Sequence, residues 1–71
     1  MADYKSAYQL EGMIAELAGF DSTHVLVTAV GEHGDFRAAF IGKVAAVTPS
    51  RARTEVDAAC RQVKANFRLR L

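Results

Sequence analysis

The chain has 71 residues, 51% of them hydrophobic and 24% charged, with a formal net charge of +1. A chain this short makes one domain, residues 1–71, and buries only about 60% of the surface its unfolded form exposes, so its core is thin. The composition is that of a globular chain rather than a disordered or fibrous one, and no low-complexity segment or internal repeat interrupts it. A single cysteine, Cys60, leaves no intramolecular disulfide. Together with an acid at Asp3 and no long apolar run, this points to a reducing, cytoplasmic setting without a signal peptide or membrane span.

Charge is distributed unevenly. In residues 1–22 Lys5 stands against Asp3, Glu11, Glu16 and Asp21, a net −3, whereas in residues 48–71 six bases stand against Glu55 and Asp57, a net +4. Such asymmetry suits either an anionic partner or self-association in which opposite ends meet.

From Tyr4 to Ala18, Leu10, Met13, Ile14 and Leu17 recur at three and four residues, which predicts a helix. Gly12 weakens it, since glycine inside a helix costs about 1 kcal/mol relative to alanine. Gly19 followed by Phe20 predicts the C-terminal cap, glycine taking the left-handed position and the aromatic folding back onto the last turn.

Residues 23–30, THVLVTAV, and 36–47, FRAAFIGKVAAV, read as two strands of a hairpin. With His33 and Gly34 as a two-residue turn, Val30 faces Arg37, Ala29 faces Ala38, Thr28 faces Ala39 and Val27 faces Phe40. One face then carries Val25, Val27 and Ala29 against Gly42, Phe40 and Ala38, wholly apolar and suited to receive helices. The other carries His24, Leu26, Thr28 and Val30 against Lys43, Ile41, Ala39 and Arg37. A one-residue slip would scramble this division.

Thr48 as N-cap and Pro49 at the first helical position open a second helix that ends near Asn66. Ala52, Val56, Ala59, Cys60, Val63 and Phe67 form its apolar stripe. The tail FRLRL, residues 67–71, alternates strictly and reads as either a short strand or a fraying last turn. The expected fold is therefore α+β, in the order helix, strand, strand, helix with a possible C-terminal strand, an antiparallel hairpin packed on two helices.

Three clusters could carry chemistry. Glu32, His33 and Asp35 include metal-ligating types, but neighbouring turn positions send side chains apart, and Gly31 and Gly34 suit a hairpin tip. His24 could act as a base oriented by Asp21, yet no serine or cysteine nucleophile is spaced beside it. Cys60, in the middle of an apolar stripe, reads as a small hydrophobe. A hydrolase or metal enzyme centred on His24 or His33 thus ranks last; the sequence assigns no catalytic, cofactor-binding or metal-binding residue and points away from an enzyme.

Arg53, Asp57, Arg61, Lys64 and Arg68 follow one another on the polar side of the second helix, with Arg70 beyond. Arg53, Arg61, Lys64 and Arg68 are the candidate contacts for nucleic acid; a solvated face laced with i, i+4 pairs accounts for the same residues. The stronger signal is the sheet. Two strands are seldom stable alone, Val44–Val47 have no partner in the hairpin, and Leu26, Val30 and Ile41 lack a cover. The reading expects a homodimer formed through the sheet, with Leu26, Val30 and Ile41 in the interface, acting as a non-enzymatic module that binds another protein.

Overall fold

A computed structural model describes residues 3–70 of the chain. Their order is β1 (Asp3–Lys5), α1 (Ala7–Ala18), β2 (Val25–Val30), β3 (Asp35–Phe40), α2 (Pro49–Lys64) and β4 (Phe67–Leu69), with a 3-10 turn at Ser22–His24 leading into β2. The expected α+β order holds, with a further short strand at the front.

That strand corrects the start of the first helix. Tyr4 lies in β1, and α1 begins only after Ser6, whose side chain accepts from the Gln9 amide while the Gln9 side chain takes the Ser6 amide. This reciprocal cap satisfies two of the amides a helix start leaves open. β1 runs parallel to β4, Tyr4 opposite Arg68. The C-terminus of α1 is as expected: Gly19, at φ 83°, donates to Ala15 and Glu16 carbonyls, and Phe20 folds back to donate to Ala15.

β2 and β3 form the antiparallel hairpin, but Val25 stands opposite Phe40, Val27 opposite Ala38, Thr28 opposite Arg37 and Val30 opposite Asp35. The register is two residues from the expected one because Gly31–Gly34 form a four-residue loop, with Gly31 and Gly34 both at positive φ. A two-residue slip preserves side-chain parity. Val25, Val27 and Ala29 therefore share one face with Phe40, Ala38 and Phe36, as the alternation requires. His24 lies across from Ile41, whose amide donates to the His24 carbonyl at 2.8 Å, not from Lys43.

The second strand is also shorter than its sequence suggests. It stops at Phe40, and the backbone turns at Gly42 (φ 81°) and Ala46 (φ 68°). Val44–Val47 thus form a connection, and a missing strand partner for them is no argument for association. α2 starts as expected on the Thr48 cap with Pro49 inside it and ends at Lys64, so Phe67 belongs to β4 rather than to the helical stripe. Leu71 of the expected terminal strand lies outside the described residues.

Both helices pack on the apolar face of the hairpin. Leu10, Ile14 and Ala15 of α1 meet Val25, Val27 and Phe36 and the α2 stripe of Val56, Ala59, Cys60 and Val63, with Leu69 of β4 closing one end. β4 is joined to the hairpin where the Leu69 amide donates to the Gly34 carbonyl at 2.8 Å. Because two helices share one side, the opposite face of the hairpin has no cover among the described residues.

Candidate interaction surface

The uncovered face is built by strand alternation. Leu26, Thr28 and Val30 of β2 point to the side opposite Val25, Val27 and Ala29, together with Arg37 and Ala39 of β3 and Ile41 just beyond it. Leu26 is 47% exposed, Val30 42% and Ile41 40%, whereas Val25 and Phe36 on the inner face are buried. Single exposed apolar residues are ordinary; a group on one sheet face is not.

The register shows which of these residues meet. Leu26 is directly opposite Ala39, and Ile41 is its diagonal neighbour, so the three make one apolar cluster. Val30 is four residues along β2 from Leu26, roughly 13 Å at 3.3 Å per residue, and the Thr28–Arg37 pair stands between them. The patch thus has an apolar end, a polar middle and Val30 at the far end. Ala39 is the member that a reading focused on large side chains passes over.

His24 borders this patch in a fixed pose. Its ring stacks on Phe40 at 5.5 Å between centroids, and Nδ1 lies 2.9 Å from the Ile41 carbonyl oxygen. Asp21 does not orient it: the Asp21 carboxylate accepts from the Thr23 amide and hydroxyl at 3.0 and 3.1 Å. Those two bonds, the amide foremost, hold the Asp21 carboxyl below its usual range. The acid here caps a turn.

At the hairpin tip Glu32 and His33 border a shallow cleft with Tyr4, Gly34 and Leu69. Asp35 turns away from them, accepting from the Phe36 amide and from Lys64, each at 2.9 Å. The three residues are therefore not convergent. Among the described residues no group of three or more histidine, cysteine or acidic side chains is placed to hold a metal ion.

Cys60 is buried in the core, and burial raises its thiol pKa, against the opposing pull of the Ala38 amide and the Lys64 charge. A thiol so placed is a weak nucleophile.

No family model, curated protein or solved structure matches the chain. Its surfaces have to be read from their own chemistry. Among the described residues no helix is long and apolar enough to cross a membrane.

The basic stripe is largely engaged within the chain. Arg61 pairs with Asp57 at 3.0 Å, Lys64 with Asp35, and the Arg68 guanidinium donates to the Lys64 and Phe67 carbonyls at 2.7 and 3.1 Å. Arg53 borders an open cleft between α2 and β3 with Ala38, Ala39, Phe40, Thr54 and Asp57.

Two features escape the sequence reading. Glu11, although charged, reaches β2 and accepts from the Val27 amide at 3.0 Å. On the other side of α1, Lys5, Tyr8, Gln9, Gly12, Met13 and Glu16 line a shallow groove. Gly12 in mid-helix was the available sign of that groove.

Proposed function

We propose that the protein is a non-enzymatic protein–protein interaction module that acts as a homo-oligomer, with Leu26, Val30 and Ile41 on the open face of the hairpin as its contact surface. The observation that carries the reading is the placement of both helices on one side of the hairpin, which leaves the Leu26–Ala39–Ile41 cluster facing water. A two-stranded sheet gains stability from a second layer, and so small a core gains more than most from shared burial. Apolar association of this kind resists salt. Light scattering after size exclusion in high salt is expected to give a mass above that of the 7.7 kDa chain, and Ile41→Glu to reduce it to the monomer with the fold intact by circular dichroism. A wild-type monomer at every concentration, or an Ile41→Glu chain that keeps its mass in high salt, overturns the reading.

Nucleic-acid binding through Arg53, Arg61, Lys64 and Arg68 is the alternative, and it draws less support. Three of those four side chains already have partners within the chain, so phosphate contacts from Arg61, Lys64 and Arg68 would compete with existing ones. It predicts affinity that falls steeply with salt and drops in an Arg53→Glu, Arg61→Glu chain; no binding at low salt removes it.

A further inference from the structure

The two outer edges of the hairpin are finished differently. The Ile41 amide donates to the His24 carbonyl, and in an antiparallel ladder bonded pairs alternate with unbonded ones. Leu26–Ala39, Thr28–Arg37 and Val30–Asp35 are therefore the bonded pairs. The amides and carbonyls of Val25, Val27 and Ala29 on β2, and of Phe36, Ala38 and Phe40 on β3, point outward. On β2 the Val25 amide donates to the Ser22 carbonyl and the Val27 amide to the Glu11 carboxylate. The start of β3 is closed as well: the Phe36 amide donates to the Asp35 carboxylate, and just before it the Gly34 carbonyl accepts from Leu69 of β4. The second half of β3 is open. The Ala38 amide lies toward the Cys60 sulfur, while the Ala38 carbonyl and the Phe40 amide and carbonyl have no partner among the described residues.

We infer that this half of the edge, Ala38–Phe40, takes an added strand from a partner protein, an extended segment rich in acidic side chains. The inference rests on the reading of the chain as a protein-binding module, but it uses an edge separate from the face of Leu26, Val30 and Ile41.

The chemistry of the edge selects the occupant. A donor and acceptors in line along a strand call for an extended peptide backbone, which offers both kinds of group. A phosphate backbone offers acceptors alone and would set them against the Ala38 and Phe40 carbonyls. Room is present: Ala38, Ala39 and Phe40 form one wall of a cleft of about 390 Å³, with Arg53, Thr54 and Asp57 of α2 as the other. Side chains of an added strand alternate between the α2 side, where Arg53 stands, and the open face, where Arg37 stands. Neither arginine has a carboxylate partner among the described residues, and Asp57 in the lining is already paired with Arg61 at 3.0 Å. A second copy presenting the same edge would bring its own Arg37 and Arg53 to the seam, basic against basic, which is unfavourable across paired strands. The edge therefore suits a different, acidic chain.

The test titrates three blocked eight-residue peptides into the full chain at low salt. One alternates glutamate and valine, one lysine and valine, and the third is the fully N-methylated glutamate–valine peptide, which keeps the charge and cannot pair its backbone. Fluorescence anisotropy is expected to show the first binding about tenfold more tightly than either of the others, with an affinity that falls as salt rises. Hydrogen exchange followed by NMR is expected to show the Phe40 amide gaining protection while the Ala29 amide, on the other edge, does not. Arg53→Glu, at an exposed position, is expected to weaken the glutamate peptide about tenfold and to strengthen the lysine peptide. Absence of binding, equal binding of the lysine or N-methylated peptide, or protection at Ala29 instead of Phe40 overturns the inference. So does an oligonucleotide that outcompetes the glutamate peptide, which gives the edge to phosphate, or Phe40 protection that rises with protein concentration alone, which gives it to a second copy. Oligomeric mass is measured without peptide, so failure here leaves the open-face reading standing, and a monomeric wild type leaves the peptide titration intact.

Discussion

The ammonium of Lys64, the last residue of α2, lies 2.9 Å from the carboxylate of Asp35, the first residue of β3, and closes the helix end onto the hairpin. The Lys64 contact first, then the Phe36 amide, holds the Asp35 carboxyl below its usual range. A depressed carboxylate adds stability that is present above the unfolded value, near pH 4, and is lost as pH falls through the folded one. Asp35→Asn is therefore expected to melt below the wild type at pH 7, with the gap closing at acid pH, where the carboxyl is protonated in the folded and the unfolded chain alike. Asp21, depressed by its own turn, titrates alike in both proteins and cancels from the difference. Thermal melts at the two pH values decide it; a gap independent of pH assigns the effect to something other than ionisation.

The two loop glycines are both at positive φ yet differ in surroundings. A Cβ on Gly31 meets nothing within 4 Å, while one on Gly34 meets Tyr4 Cε2 at 3.1 Å, Arg68 Cβ at 3.2 Å and the Leu69 carbonyl at 3.2 Å. Gly31→Ala carries only the left-handed penalty, roughly 1–2 kcal/mol. Gly34→Ala adds the crowding of β1 and β4 against the hairpin, and two of its three obstacles are backbone or first side-chain atoms that cannot swing aside. Urea melts are expected to place Gly34→Ala clearly below Gly31→Ala; equal losses would mean that β4 yields at this junction.

These glycines also show where sequence reasoning stopped. Alternation in residues 25–30 and 36–40 determined which side chains point inward, because faces depend only on parity. It could not distinguish a two-residue loop from a four-residue one, since both keep parity; Gly31 and Gly34 bracketing the loop were the discriminating sign. α2 was legible because its signals are local, Thr48 and Pro49 at the start and a stripe at helical spacing. β1 was not, because three residues have no period to read, and their partner, Phe67–Leu69, comes from the other end of the described chain. For the candidate surface, the exposure of Leu26, Val30 and Ile41 followed from alternation, but their grouping depended on the register. The basic stripe was visible as a face, while the partner that occupies Lys64 was visible only in the fold.

Cys60 is buried between Ala59 and Val63 of the same stripe, and its raised thiol pKa follows first from that burial. The unfolded thiol ionises near its ordinary value, about 8.5, and the folded one above it. Stability from this group is thus complete below that value and declines as pH rises through the folded pKa. Labelling with an aromatic disulfide reagent at pH 8 is expected to be slow in the native protein and immediate in urea. Cys60→Ala, which leaves a small cavity, is expected to cost less than Cys60→Asn, which adds volume and buries an amide without a prepared partner. Fast native labelling would show that α2 opens far more readily than its packing suggests.

Glu11 supports β2 from outside the ladder. Its carboxylate accepts from the Val27 amide at 3.0 Å, on the edge of β2 that faces away from β3. An open strand edge is a template for unwanted pairing, and a charged acceptor laid along it protects that edge. Glu11→Ala leaves the amide of a nearly buried residue without its partner, a loss of about 1–3 kcal/mol. Glu11→Gln keeps an acceptor oxygen at the same reach and is expected to recover much of that loss. Hydrogen exchange reads the contact directly: the Val27 amide is expected to exchange faster in Glu11→Ala than in Glu11→Gln, relative to each variant's global stability. Unchanged protection at Val27 with a lowered melting temperature would assign the role of Glu11 to helix packing rather than to the strand edge.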